Sequence, residues 1–198
     1  MRIRLANSKD VATYTALAHA AQAWLRSRGL NQYVPGAHDE YTAAIRSRVE
    51  SGTLFAVQHA DQAIAFFSLE ASPSQWWPAD KISAVYLAGI VVARSARGRG
   101  IGGVIVEWSL REAARLGFQC VRLDCHADNL WLVATTKITA SHSGTRSSSI
   151  RAITDVCINE TLKVPVGARR EGMRNDASRI VGLNMEQTHY LERISKPP

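Results

Sequence analysis

Apolar positions recur along this chain in two rhythms. Val11, Tyr14, Ala18, Ala21 and Leu25 fall three or four apart, the stripe of an amphipathic helix. Ser8 would cap that helix, Asp10 would sit in its first turn and Gly29 would end it. Met1 to Leu5 alternates ahead of it as a strand. After a Pro35-Gly36 break the pattern predicts a second helix from Asp39 to Glu50, stopped near Gly52. Thr53–His59 and Gln62–Glu70 then read as two strands turned at Ala60-Asp61, an antiparallel hairpin. Ser72–Asp80, with Trp76 and Trp77, reads as a loop. Lys81–Ala93 is apolar nearly throughout, as a central strand buried on both faces would be. A further helix carries Ile101, Val104, Ile105 and Trp108 on one face and closes at Leu116-Gly117. Phe118–Cys125 alternates again as a strand, completing a strand–helix–strand unit.

The turn inside that unit carries the chemistry. Arg94 to Gly103 holds Arg94, Arg97 and Arg99 together with Gly98, Gly100, Gly102 and Gly103. Glycines admit positive φ and let a ligand approach the backbone closely. The N–H groups of a helix's first turn lack partners and lie at the positive end of its dipole, so such a site favours a phosphate. Two nucleotide-binding patterns compete for it. Gly98, Gly100 and Gly103 satisfy Gly-x-Gly-x-x-Gly, and Asp124 stands where a ribose-binding acid would, which would make the chain a nicotinamide-dependent oxidoreductase. That fold needs further strand–helix units, whereas here two helices and a hairpin precede the turn and nothing regular follows. A P-loop is excluded, because no Gly-Lys-Ser/Thr follows the glycines.

Arg97-Gly98-Arg99-Gly100-Ile101-Gly102, behind a long strand and ahead of a helix, resembles the Arg/Gln-x-x-Gly-x-Gly/Ala signature of the GNAT superfamily of acyl-CoA-dependent N-acetyltransferases. The order of elements and the placing of Asn129 are similar too, over about residues 1–132. The resemblance implies an α/β fold with a mixed, mostly antiparallel sheet flanked by helices. In it the parallel strands 81–93 and 118–125 splay where CoA enters. It implies acetyl-CoA as cosubstrate, its pantetheine arm along the backbone from Gly89 through Ile90, Val91 and Val92. The amides of Gly98, Arg99, Gly100, Ile101, Gly102 and Gly103 would hold the pyrophosphate, with Arg97 and Asn129 as further cofactor-binding residues. A backbone N–H near Val91 would face the acetyl carbonyl as a partial oxyanion hole.

Transfer in this family is direct, a neutral amine attacking the thioester. The site must therefore accept a proton from the amine and supply one to the thiolate. Candidate acceptors are Glu70, Tyr86, Asp124 and His126, all near strand ends or on the central strand. Cys125 and His126 are too few to ligate a metal, and Cys120 and Cys125 read as buried strand residues. Trp76-Trp77 would line an acceptor pocket or cap the core.

Composition sharpens this reading at the far end of the chain. The 198 residues suit one domain with a real core. No apolar run is long enough to span a bilayer, the start MRIRLANSKD is no signal peptide, and three cysteines give no zinc spacing. A soluble cytoplasmic protein is expected, with acetyl-CoA, an amine acceptor and a second copy of the chain as partners. The net charge is +7, but no basic stripe is interleaved with aromatics, so nucleic acid is not an expected partner. Residues 1–132 hold 14 basic and 11 acidic residues and all aromatics but Tyr190; the remaining 66 hold 10 and 6.

The family continues past its last quoted strand with Asn-x-x-Leu-x-x-Tyr-Tyr and then Gly-Phe, one tyrosine commonly serving as the acid for the thiolate. Here Asn129 and Leu132 keep the register, but Thr135 and Thr136 stand at the tyrosine positions. Val133 to Ser141 can be encoded GTG GCT ACT ACG AAG ATC ACG GCT TCA. Read from its third base, that string gives Gly-Tyr-Tyr-Glu-Asp-His-Gly-Phe, restoring both landmarks. A frameshift near residue 133 is therefore the leading account of the tail, ahead of a genuine family variant or an added module. The expectation is an acetyltransferase core over 1–132 and an atypical, poorly ordered tail over 133–198. That tail would leave one side of strand 118–125 unpaired. The alternative to an active transferase is a catalytically impaired CoA-binding remnant.

Overall fold

The structure, a computed structural model, describes residues 1–30, 38–71, 82–126, 145–147 and 151–157. Their order is β1 (Arg2–Leu5), α1 (Asp10–Arg26), α2 (His38–Glu50), β2 (Leu54–His59), β3 (Gln62–Glu70), β4 (Ala84–Val92), a 3₁₀ turn (Arg94–Ala96), α3 (Ile101–Arg115), β5 (Cys120–His126), β6 (Thr145–Ser147) and β7 (Arg151–Cys157). One sheet runs β1-β2-β3-β4-β5-β7-β6, with the apolar β4 at its centre. Every described pairing is antiparallel except that of β4 with β5. This is the predicted α/β architecture.

Both faces of the sheet are covered, which is why its central strands read as nearly continuous apolar runs. On one face Phe55, Phe67, Val85, Leu87, Val121 and Leu123 pack against Ile101, Ile105 and Leu110 of α3. On the other, Leu54, Ala56, Phe66 and Val91 meet Tyr14, Ala18 and Ile45 of α1 and α2. Val91 belongs to this second face only because β4 carries a bulge. Phe66 pairs with Val91 and Ser68 with Ala88, so Gly89 and Ile90 together oppose Phe67.

Three expectations need correction. Ser8 does not cap α1. The Asn7 side chain accepts the Lys9 N–H at 3.0 Å, while the Asp10 carboxylate reaches back to the Asn7 N–H at 2.8 Å, a reciprocal cap one residue earlier. The central strand begins at Ala84 rather than Lys81. The outer side of β5 is not left unpaired: β7 pairs with it from Cys120↔Cys157 to His126↔Arg151. Residues 151–157 lack aromatics, but Ile153, Thr154 and Val156 supply β-branched side chains that favour a strand. Asn129, Trp76, Trp77, Thr135 and Thr136 lie outside the described residues.

Candidate functional site

β4 and β5 pair over three rungs only, Ala84↔Cys120, Val85↔Val121 and Tyr86↔Arg122. Both strands continue, β4 to Val92 and β5 to His126, so they diverge beyond the last rung. From Leu87 onward the described residues of β5 give β4 no partner. The gap opens towards the N-terminus of α3.

Two positions require glycine for the turn to work. Gly98 has φ +75°, and Gly100, the residue that caps α3, has φ +72°. The first bond closing on the cap runs from the Val104 N–H to the Gly100 carbonyl at 3.1 Å. The N–H groups of Ile101, Gly102 and Gly103 precede it, in the part of a helix that leaves donors unpaired. A Cβ built on Gly98, Gly100, Gly102 or Gly103 would meet no heavy atom within 4 Å, so the turn borders open space. Arg94 and Arg99 are exposed beside it. This donor set and its clearance fit a pyrophosphate. Arg97 is placed differently: its Nε donates to the Val92 carbonyl at 3.4 Å and its guanidinium stacks on Trp24 of α1.

The bulge shapes the strand on which a pantetheine arm would lie. Gly89 has φ +61°, and its carbonyl accepts the Tyr14 hydroxyl at 2.9 Å. The neighbouring Ala88 carbonyl accepts the Ser68 hydroxyl at 3.2 Å. Tyr14 and Ser68 are fully buried, so two side chains replace the ladder bonds that the bulge disrupts. Ile90, Val91 and Val92 follow, with Ile90 and Val92 on the α3 side and Val91 beneath α1 and α2.

Of the predicted proton acceptors, Glu70 and Tyr86 are brought together as a cross-strand pair of β3 and β4. The Arg48 Nε of α2 donates to Glu70 Oε1 at 2.9 Å. Tyr86 pairs in turn with Arg122, whose Nη1 donates to its hydroxyl at 3.3 Å. Glu70, Tyr86 and Arg122 thus form one row across three strands. Asp124 stands outside that row, two residues along β5, just past the last rung with β4. Tyr14, Arg48, Ser68 and Arg122 escaped the sequence reading. Arg122 is only 2% exposed, and alternation along residues 120–125 placed it on a face without revealing its partner.

Among the described residues no group of three His, Cys, Asp or Glu could hold a metal ion, and no helix is long and apolar enough to cross a membrane. A groove of about 670 Å³ between α1 and α2 is lined by Val11, Thr15, His19, Arg46 and Val49 among others, and by no residue of the glycine turn or the Glu70 row.

Comparison with known proteins agrees with this geometry. The acetyltransferase (GNAT) family pattern matches residues 18–137. The chain is 28% identical over 126 residues to the uncharacterized N-acetyltransferase YesJ of Bacillus subtilis, covering 61% of this chain and 70% of that protein. A GNAT-family acetyltransferase structure from Streptococcus agalactiae superposes with a TM-score of 0.66 at 16% identity, over 79% of this chain and 94% of that one. The structure of yncA from Salmonella typhimurium with its cofactor acetyl-CoA gives a TM-score of 0.55 at 15% identity, over 81% of this chain and 95% of that one.

Proposed function

The chain belongs to the acetyltransferase (GNAT) family, and from that premise we propose that it transfers an acetyl group from acetyl-CoA to an amine of a small molecule or protein. The observation that supports this most is the glycine-lined N-terminus of α3 at the open end of the β4–β5 gap. The amides of Gly98 to Gly103 hold the pyrophosphate, with Arg94 and Arg99 adding charge. The β4 backbone from Gly89 to Val92 receives the pantetheine arm through groups other than the Gly89 carbonyl, which Tyr14 occupies. Bound there, acetyl-CoA supplies an activated acyl thioester.

Asp124, past the last rung, accepts the proton that the attacking amine loses. Glu70 and Tyr86, held by Arg48 and Arg122, frame the acceptor side. The thiolate takes its proton from water, because Thr135 and Thr136 stand where the family carries its tyrosine acid. That substitution also favours a second reading, in which the chain binds CoA but turns over slowly.

Isothermal titration tests the assignment. Acetyl-CoA should give binding heat and NAD(H) none. Gly100→Asp should abolish the acetyl-CoA heat while circular dichroism stays that of a folded chain, since aspartate tolerates the left-handed region and brings a carboxylate against the pyrophosphate. NAD(H) heat without acetyl-CoA heat would restore the oxidoreductase reading.

A further inference from the structure

Trp24, on the last turn of α1, is 39% exposed and belongs to neither of the two core clusters. Its ring is covered instead by cations. The guanidinium carbon of Arg97 lies 4.7 Å from the ring centroid and that of Arg28 lies 5.6 Å away, both within cation–π range. Arg97 also bonds the Val92 carbonyl, so one side chain joins the end of β4, the start of the glycine turn and the end of α1. The next residue is Gly98, which makes the left-handed step into the turn.

The glycines cannot fix that turn themselves. They have no side chains to pack, and the space where a Cβ would stand is open. Several amides must nonetheless converge on one ligand, and ordering such a segment at the moment of binding subtracts from affinity. Arg97 is the last residue before the glycines with a side chain anchored elsewhere in the fold, and Trp24 is the surface it is anchored on.

We propose that Trp24 is a positioning residue of the acetyl-CoA site, acting through Arg97. The indole holds the guanidinium against α1, which fixes the Arg97-Gly98 step and presents the α3 amides as a preformed cradle. This inference rests on the acetyl-CoA reading above, and its test separates the two.

Acetyl-CoA affinity is measured by titration for the unaltered chain, Trp24→Ala, Trp24→Phe, Trp24→Leu, Arg97→Ala and the double variant Trp24→Ala/Arg97→Ala. Trp24→Ala should weaken binding about two- to five-fold, the range for an exposed cation–π contact. Trp24→Phe should recover most of the loss, because an aromatic face remains, and Trp24→Leu should not. In the Arg97→Ala background Trp24→Ala should add nothing. Unchanged affinity in Trp24→Ala would overturn the proposal. Additive losses would also overturn it, because Trp24 would then act independently of Arg97. Full rescue by leucine would reduce the residue to packing. An unaltered chain that binds no acetyl-CoA would instead remove the underlying reading, and this one with it.

Discussion

Gly89 is the residue on which the central strand turns, for two separate reasons. Its φ of +61° is strained for any side chain, and a Cβ there would fall 2.6 Å from the Tyr14 hydroxyl. Tyr14 needs that closeness because its hydroxyl is buried and the Gly89 carbonyl is its partner. Tyr14→Phe keeps the stacking on Phe66, whose ring centroid is 5.1 Å away, but leaves the carbonyl bare. It should lower stability by about 1–3 kcal/mol. The measurement is a urea unfolding curve, with the midpoint lowered and the slope unchanged. An unaltered midpoint would mean that water replaces the hydroxyl. None of this was legible in the chain, where Tyr14 is one apolar position in a helical stripe and its partner lies 75 residues on. The glycine–arginine turn was legible because the role proposed for it uses backbone amides, and glycine spacing reports directly on the backbone. Even so, the arginine that opens the motif is held by Trp24, a residue that the α1 pattern leaves at the helix end.

At the scale of elements, the junction of β1 with α1 shows how a boundary is set by charge as well as by capping. Arg4 clamps both oxygens of Asp10, at 2.7 and 2.9 Å, and the same carboxylate receives the Asn7 N–H. Burial by itself pushes the Asp10 carboxyl up, but the Arg4 guanidinium and the Asn7 N–H outweigh it and hold the group below the usual carboxylate range. A carboxyl depressed in the folded state stabilises the fold above its unfolded pKa, roughly 4. That contribution should drain away as pH falls from about 4 through the lower folded value. Asp10→Asn should melt lower than the unaltered chain at pH 7, and the gap should close as melts are repeated towards pH 3. A gap independent of pH would assign the effect to the cap alone. Periodicity found α1, α2, β2, β3 and α3 because each buries one regular stripe or is closed by a clear turn. It misplaced the α1 cap, since Asn7 and Ser8 are both good capping residues and only the reach of Asp10 chooses between them. It missed the strand pairing of β7 because the paucity of aromatics beyond residue 132 hid a run of β-branched residues.

Across the whole molecule, the similarity to the family and the departure from it meet near one point. The family match ends at residue 137, and Thr135 and Thr136 fall just inside that end. The coding DNA beyond codon 133 should therefore carry the Tyr-Tyr and Gly-Phe landmarks in its shifted frame, and a chain expressed from that frame should acetylate a test amine faster than this one. Equal rates, or a shifted frame without the landmarks, would make the tail a genuine variant. The brief β4–β5 pairing has a separate consequence. Among the described residues, a sheet that parts after three rungs has an edge in its interior as well as at its margins, and the strand left without a partner there is its most apolar one. Main-chain groups along such an edge can pair with any passing strand. A ligand lying along β4 would cover them. The supply of acetyl-CoA in the cell would then govern how long each copy of the chain escapes association and proteolysis, so that the abundance of the protein would follow the abundance of its cosubstrate.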